Sequence, residues 1–150
     1  MNRLIQLGLC SLALCPVFVG LVPAAAEAEE LPVKEWAFQR VTHGLLKPLA
    51  KKEESRSKFS RGAMPPSERR LRVVSETVSY DKQERAFLSY VVEASDGQDW
   101  YSELVGCVYR KTGEIFVQRG EEYRPAAFLL GKNVKAVAGV CQEAPAEDRS

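Results

Sequence analysis

The stretch Ala86-Phe87-Leu88-Ser89-Tyr90-Val91-Val92-Glu93-Ala94-Ser95-Asp96-Gly97-Gln98-Asp99-Trp100-Tyr101-Ser102-Glu103-Leu104-Val105-Gly106-Cys107-Val108-Tyr109 decides the fold. Ala86, Leu88, Tyr90, Val92 and Ala94 alternate with Phe87, Ser89, Val91 and Glu93. That two-residue period belongs to a half-buried strand. Asp96-Gly97 is the strongest hairpin signal in the chain, because a tight turn between strands needs residues that accept positive φ. Residues 100–110 form the returning strand, with Trp100, Leu104 and Val108 on one face and Tyr101, Val105, Cys107 and Tyr109 on the other.

Reading outward from this hairpin extends the sheet in both directions. Upstream, residues 71–80 are rich in Val, Thr, Ser and Tyr and read as a strand, followed by a turn at 81–84. Downstream, Lys111-Thr112-Gly113 turns the chain into a strand at 114–119. The expectation is a four-stranded antiparallel meander. After it, Pro125 starts a short helix over 126–130 that Gly131 caps. Val134, Val137, Ala138 and Cys141 share a helical face, while Val134, Ala136, Ala138 and Val140 alternate as in a strand. Both readings of 132–141 stay open, with helix favoured. Residues 142–150 read as a flexible polar tail.

Before the sheet, Phe38, Val41, Leu45 and Leu49 recur at helical spacing with Trp36 and Leu46 beside them, which predicts a helix over 34–47. Gly44 weakens it by about 1 kcal/mol, and Pro48 should end or kink it. Residues 50–70, with few apolar side chains and the pair Pro65-Pro66, read as a long mobile loop. The fold class is therefore α+β: an N-terminal helix, a basic loop, the meander, and a C-terminal helical element.

The chain opens like an export signal: a basic start at Arg3, an uncharged apolar run over 4–22, and small residues at 24–28. Cleavage fits after Ala26 or after Ala28. A retained anchor is the competing reading, which Pro16 and Pro23 disfavour; Leu9 and Leu14 are too large to precede a lipidated Cys10 or Cys15. Removing 1–28 leaves about 120 residues, one ordinary domain. Of the four cysteines, Cys107 and Cys141 then remain. In an oxidising compartment they should form one disulfide, contributing about 3 kcal/mol by the chain-entropy argument. The expected location is periplasmic or secreted.

The chemistry-bearing residues are sparse. His43 is the single histidine, and no nucleophile and acid can be assembled around it on firm grounds. His and Cys are too few for a zinc site, and no Asp-x-Asp loop indicates calcium, so no metal, cofactor or catalytic residue is expected. The net charge of +1 is uninformative, but its distribution is not. Between Lys47 and Arg72 nine basic residues face three acidic ones, a net of +6 in a chain otherwise slightly acidic. Arg56, Lys58, Arg61, Arg69 and Arg70 are the candidate binding residues of this segment, suited to anionic lipid headgroups or to another envelope protein. Nucleic acid is not an expected partner in that compartment. Trp100 and Tyr101 head a second candidate set, because one set of short helices cannot cover both faces of an aromatic-rich sheet.

The segment 71–141 resembles the cryptic neisserial protein-like family of small exported bacterial proteins. The likeness runs through Arg85-Ala86-Phe87-Leu88-Ser89-Tyr90-Val91-Val92, Ser95-Asp96-Gly97, Tyr101-Ser102-Glu103-Leu104-Val105-Gly106-Cys107, Glu114-Ile115-Phe116-Val117 and Val137-Ala138-Gly139-Val140-Cys141. More loosely, the same ending resembles the surface-adhesin protein E family, although Tyr123-Arg124-Pro125 stands where that family has tryptophan-proline. The resemblances imply an exported sheet packed by helices, without a catalytic motif; the second implies binding of host or matrix ligands. The expected function is a non-enzymatic, envelope-associated interaction protein. The alternatives are an inhibitor or immunity-type protein against a secreted enzyme, or adhesin-like ligand binding.

Overall fold

A computed structural model describes residues 31–58 and 64–145. The export-signal reading and Arg61 lie outside these residues. The described chain begins with one helical rod: α1 (Val33–Val41), a π-helical turn (Thr42–Leu46) and α2 (Lys47–Ser57). The rod follows the first thirty residues and so does not start at the N terminus. It also continues through Pro48, where the sequence predicted an end or a kink, and takes up the first part of the predicted loop. Proline donates no hydrogen bond, and its ring crowds the carbonyl four residues back. The π turn directly before it is wider, with the Lys47 N–H reaching back to the Thr42 carbonyl, and this lets the rod run on. Its buried stripe is Ala37, Val41, Leu45 and Leu49, each four residues apart; Phe38 points to solvent instead.

The sheet has six strands rather than four: β1 (Glu68–Val73), β2 (Ser79–Tyr80), β3 (Ala86–Ser95), β4 (Trp100–Tyr109), β5 (Ile115–Arg119) and β6 (Glu122–Pro125). All pairings are antiparallel, in the order β1-β3-β4-β5-β6, with β2 beside the start of β3. The single strand predicted over 71–80 is two, because β1 pairs with residues 90–95 of β3 and β2 with Ala86 and Phe87. The strand β6 escaped the sequence reading because Glu122-Tyr123-Arg124-Pro125 is only four residues long and ends in a proline, which reads as a strand breaker.

The rod covers one face of the sheet. Its stripe packs on Leu88, Tyr90, Val92, Leu104, Val108, Ile115 and Val117. Tyr90 lies directly opposite Gly106. A Cβ at Gly106 would stand 2.1 Å from the Phe116 carbonyl oxygen and 2.5 Å from the Tyr90 hydroxyl, so only glycine fits beneath this ring. The Tyr90 hydroxyl donates to the Phe116 carbonyl at 2.9 Å, which satisfies its one buried polar atom.

Part of the second face is covered by residues 132–144. Phe87, Cys107, Tyr109 and Phe116 pack under Val140. After a 3-10 turn (Ala126–Phe128), residues 132–141 form neither the predicted helix nor a strand. They cross the sheet as a strap, tied by the Val137 N–H to the Tyr123 carbonyl and by the Cys107–Cys141 disulfide, whose Cα atoms are 6.3 Å apart. The C-terminal helical element thus shrinks to the 3-10 turn. Local propensity lost here because Val140 and Cys141 gain more by covering the aromatic face than a short isolated helix gains in water. Pairing continues to Ala144, whose N–H donates to the Tyr80 carbonyl.

Asp81 fastens the strap from below. Its buried carboxylate accepts from the Gln83 and Arg85 N–H groups at 2.9 Å, from the Arg85 side chain, and from the Tyr109 hydroxyl at 2.8 Å. The same hydroxyl accepts the Cys141 N–H at 3.0 Å. Burial alone would push this carboxyl up, but the bonds from Arg85, Tyr109 and Gln83 together hold it below the usual carboxylate range. The unfolded chain therefore binds this proton more readily than the native one. The carboxylate's contribution is present above the ordinary aspartate pKa and is lost as pH falls through the native value. Asp81→Asn should cost about 2 kcal/mol at neutral pH. Urea unfolding from pH 7 down to pH 3 should show a shallower acid loss in this variant than in the wild type. Gly106→Ala should unfold the protein at lower denaturant still, since the clash is with backbone.

Candidate functional site

The sequence placed the candidate residues in one basic loop and one aromatic face; the structure distributes them otherwise. Arg69 lies in β1 on the rod's side of the sheet, with its side chain only 13% exposed. Its guanidinium bonds both oxygens of Glu53, on α2, and both of Glu103, on β4, at 2.5–2.8 Å. Bonds to Glu53 and Glu103 raise its pKa against the opposing effect of burial, so the charge is locked in. Arg69 is thereby a clamp between rod and sheet and offers little to a ligand. Arg56 and Lys58 sit exposed at the end of α2, and Lys58 pairs with Glu54 at 3.4 Å.

Arg70 is placed differently. It points to the second face, where Nε meets Glu93 at 2.5 Å and the guanidinium lies over the Trp100 ring, 4.1 Å from its centre. Arg72, two residues on, is 3.9 Å from the same carboxylate and mostly exposed. Val91 and Val105 are paired between the strands in the same region.

A bulge explains why Trp100 is here. The register steps from Val92↔Leu104 to Glu93↔Ser102, so Glu103 is an extra residue in β4. Beyond it the alternation reverses. Leu104 and Val108 stay on the rod's side, Trp100 moves to the second face, and Tyr101, opposite Ala94, moves to the rod's side. Strict alternation had paired Trp100 with Leu104 and Tyr101 with Val105; a bulge leaves no period in sequence, and only the apposition of Glu103 to Arg69 reveals its use.

The strap covers only the half of the second face around Phe87, Tyr109 and Phe116. The other half, with Arg70, Arg72, Trp100 and Val105, is left uncovered by any described element. Among the described residues β5 faces only Gly106, Cys107 and Val108 of β4, so residues 100–105 present a free strand edge. Trp100 is 37% exposed, Tyr101 48% and Val105 38%. The sequence signals that could have located this edge are the shortness of β5 and the sequence Trp100-Tyr101 at the foot of a hairpin.

His43 lies exposed on the π turn, with its ring nitrogen Nε2 3.4 Å from Lys47 Nζ. Among the described residues no three His, Cys, Asp or Glu side chains are grouped so as to hold a metal ion, and no helix is long and apolar enough to cross a membrane.

Arg69→Ala should cost about 3 kcal/mol in urea denaturation, because it leaves two partly buried carboxylates facing one another. Arg70→Ala, which removes an exposed pair, should cost under about 1 kcal/mol. Equal losses for the two variants would show that Arg69 does not clamp rod to sheet. No family model, curated protein or solved structure matches the chain.

Proposed function

We propose that the protein is an exported, non-enzymatic interaction protein of the cell envelope, and that it takes up an extended segment of a partner protein along the free edge of β4. The observation that carries this reading is the unpaired edge at residues 100–105 with exposed aromatic and apolar side chains on both its sides: Trp100 and Val105 on one, Tyr101 on the other. An unpaired strand edge offers N–H and C=O groups that a partner strand can satisfy, while alternate side chains find separate contacts on the two faces. Such edges invite indiscriminate pairing unless something restricts them. The bulge at Glu103 interrupts regular pairing here and would limit partners to those of matching register.

The pairing of individual cations favours a protein segment over a lipid surface. Arg69 is consumed by Glu53 and Glu103, Arg70 by Glu93, and Lys58 by Glu54. The +6 of the segment already counts Glu53 and Glu54, so Glu93 and Glu103 lower it only to +4, but three of the five candidate cations are held at short range, which weakens their attraction to an anionic membrane. Arg72, with most of its side chain in solvent, would steer an acidic residue of the segment while Trp100 packs against its neighbour. An inhibitor of a secreted enzyme is the second reading, favoured by the same protruding hairpin edge.

A photoreactive residue placed at Tyr101 or at Val105, in cells of the native host, should give a discrete protein adduct. The adduct should disappear when Trp100→Ser is added. The same residue at Gln39, exposed on α1, should give none. Equal adducts from all three positions, no adduct at all, or adducts to lipid alone would sink the proposal.

A further inference from the structure

We propose that a cleft between the π turn and the β4–β5 turn binds a single carboxylate carried on a short apolar group, with Arg40 as its anchor. This site is separate from the β4 edge and does not rest on that reading.

Arg40 leaves the end of α1 and lies across two glycines. Its Nε donates to the Gly113 carbonyl at 2.7 Å, which fixes the plane of the guanidinium. A Cβ at Gly113 would stand 2.8 Å from that Nε, and one at Gly44 would stand 3.6 Å from Nη1. Gly113 also has φ +69°, in the region glycine favours. The side chain thus has a backbone-lined seat at both ends. With Nε engaged, the two terminal nitrogens remain to donate. Among the described residues no carboxylate lies within ion-pair distance of them.

Below the guanidinium is a cleft of about 220 Å3 with walls from Ile115, Phe116, Pro125, Ala126 and Ala127. The π turn forms one wall: a Cβ at Gly44 would approach Ile115 Cδ1 to 2.5 Å, so the turn packs closely on β5 here. The cleft is thus a cation held rigidly at the rim of an apolar recess.

Three features choose the ligand. The two terminal nitrogens of one guanidinium match the two oxygens of one carboxylate in a flat, bidentate pair. Glu114, whose carboxylate accepts from the Thr112 hydroxyl, also borders the cleft, and its charge opposes a phosphate dianion about twice as strongly as a single carboxylate. The volume falls below the ~300–1,000 Å3 usual for small-molecule sites, so the apolar part must be short. Two sources carry this chemistry: a free short-chain acid, and the last residue of a protein chain.

The test is an amide NMR titration of the protein purified in its oxidised form from an exporting host. The probes are butyrate, a tetrapeptide ending in valine as the free acid, and the same peptide amidated. Saturable shifts at Gly44, Gly113, Ala126 and Ala127 are expected with butyrate or the free-acid peptide, and at least tenfold weaker binding is expected for the amide. Tighter binding of the free-acid peptide than of butyrate would assign the site to protein C termini; the reverse order would assign it to free acids. Arg40→Gln should abolish the shifts while the β1–β3 amides keep their positions, and Arg40→Lys should retain only part of the affinity. Amide and free acid binding alike, or no saturable shift with either acid, would overturn the proposal without any variant being needed.

Discussion

The strand β3 is the constraint on which the other elements depend. Nine of its ten residues, from Phe87 to Ser95, pair with β4, and on its other edge the same strand carries β1 against residues 90–95 and β2 against Ala86 and Phe87. A strand paired on both sides must satisfy its backbone within the sheet, and its side chains must be covered on both faces. Leu88, Tyr90 and Val92 meet the rod, while Phe87 on the opposite face meets the strap. Tyr90 over Gly106 then sets the closeness of β4, because a residue with a side chain there would hold the strands apart. Removing β3 leaves no two elements of the sheet connected except β4, β5 and β6.

The two coverings are of different kinds, and the difference positions the exposed edge. The rod is regular and spans the sheet through a stripe of small and branched apolar residues. The strap is irregular and gains its place from a disulfide, the Tyr109–Asp81 bonds and one buried valine. A single extended segment covers only a strip of a sheet face, however far it reaches across the strands. It therefore covers the aromatic cluster, where burial per residue is largest, and stops short of Trp100. The incomplete second layer and the short β5 together leave the hairpin foot open.

Ion pairs act here as fasteners more than as a field. Arg69 joins rod, β1 and the β4 bulge, and Lys52 reaches from α2 to the Leu129 carbonyl at 2.7 Å. Such bonds are directional and hold elements in register, whereas their long-range attraction is cancelled by the acids they bind. A count of charges along the chain cannot foresee this, because Glu103 and Glu93 come from strands distant in sequence from the basic segment.

The sequence by itself determined the α+β class, the central hairpin with its Asp96-Gly97 turn, the helix with Val41, Leu45 and Leu49 of its buried stripe, and the pairing of Cys107 with Cys141. Each of these rests on a local period, a turn residue, or, for the disulfide, the two of four cysteines that lie outside the apolar opening run. Tertiary structure alone decided that the rod passes Pro48, that residues 71–80 divide between two strands, and that β6 joins the sheet. It alone made 132–141 a strap, exchanged the faces of Trp100 and Tyr101 relative to the rest of β4, and set Arg40 at the rim of a cleft. The physical reason is common to these. A proline just past a widened turn, a one-residue bulge and a covalently pinned strap are settled by packing energy between distant residues, and that energy outweighs the few tenths of a kcal/mol per residue that local propensity supplies.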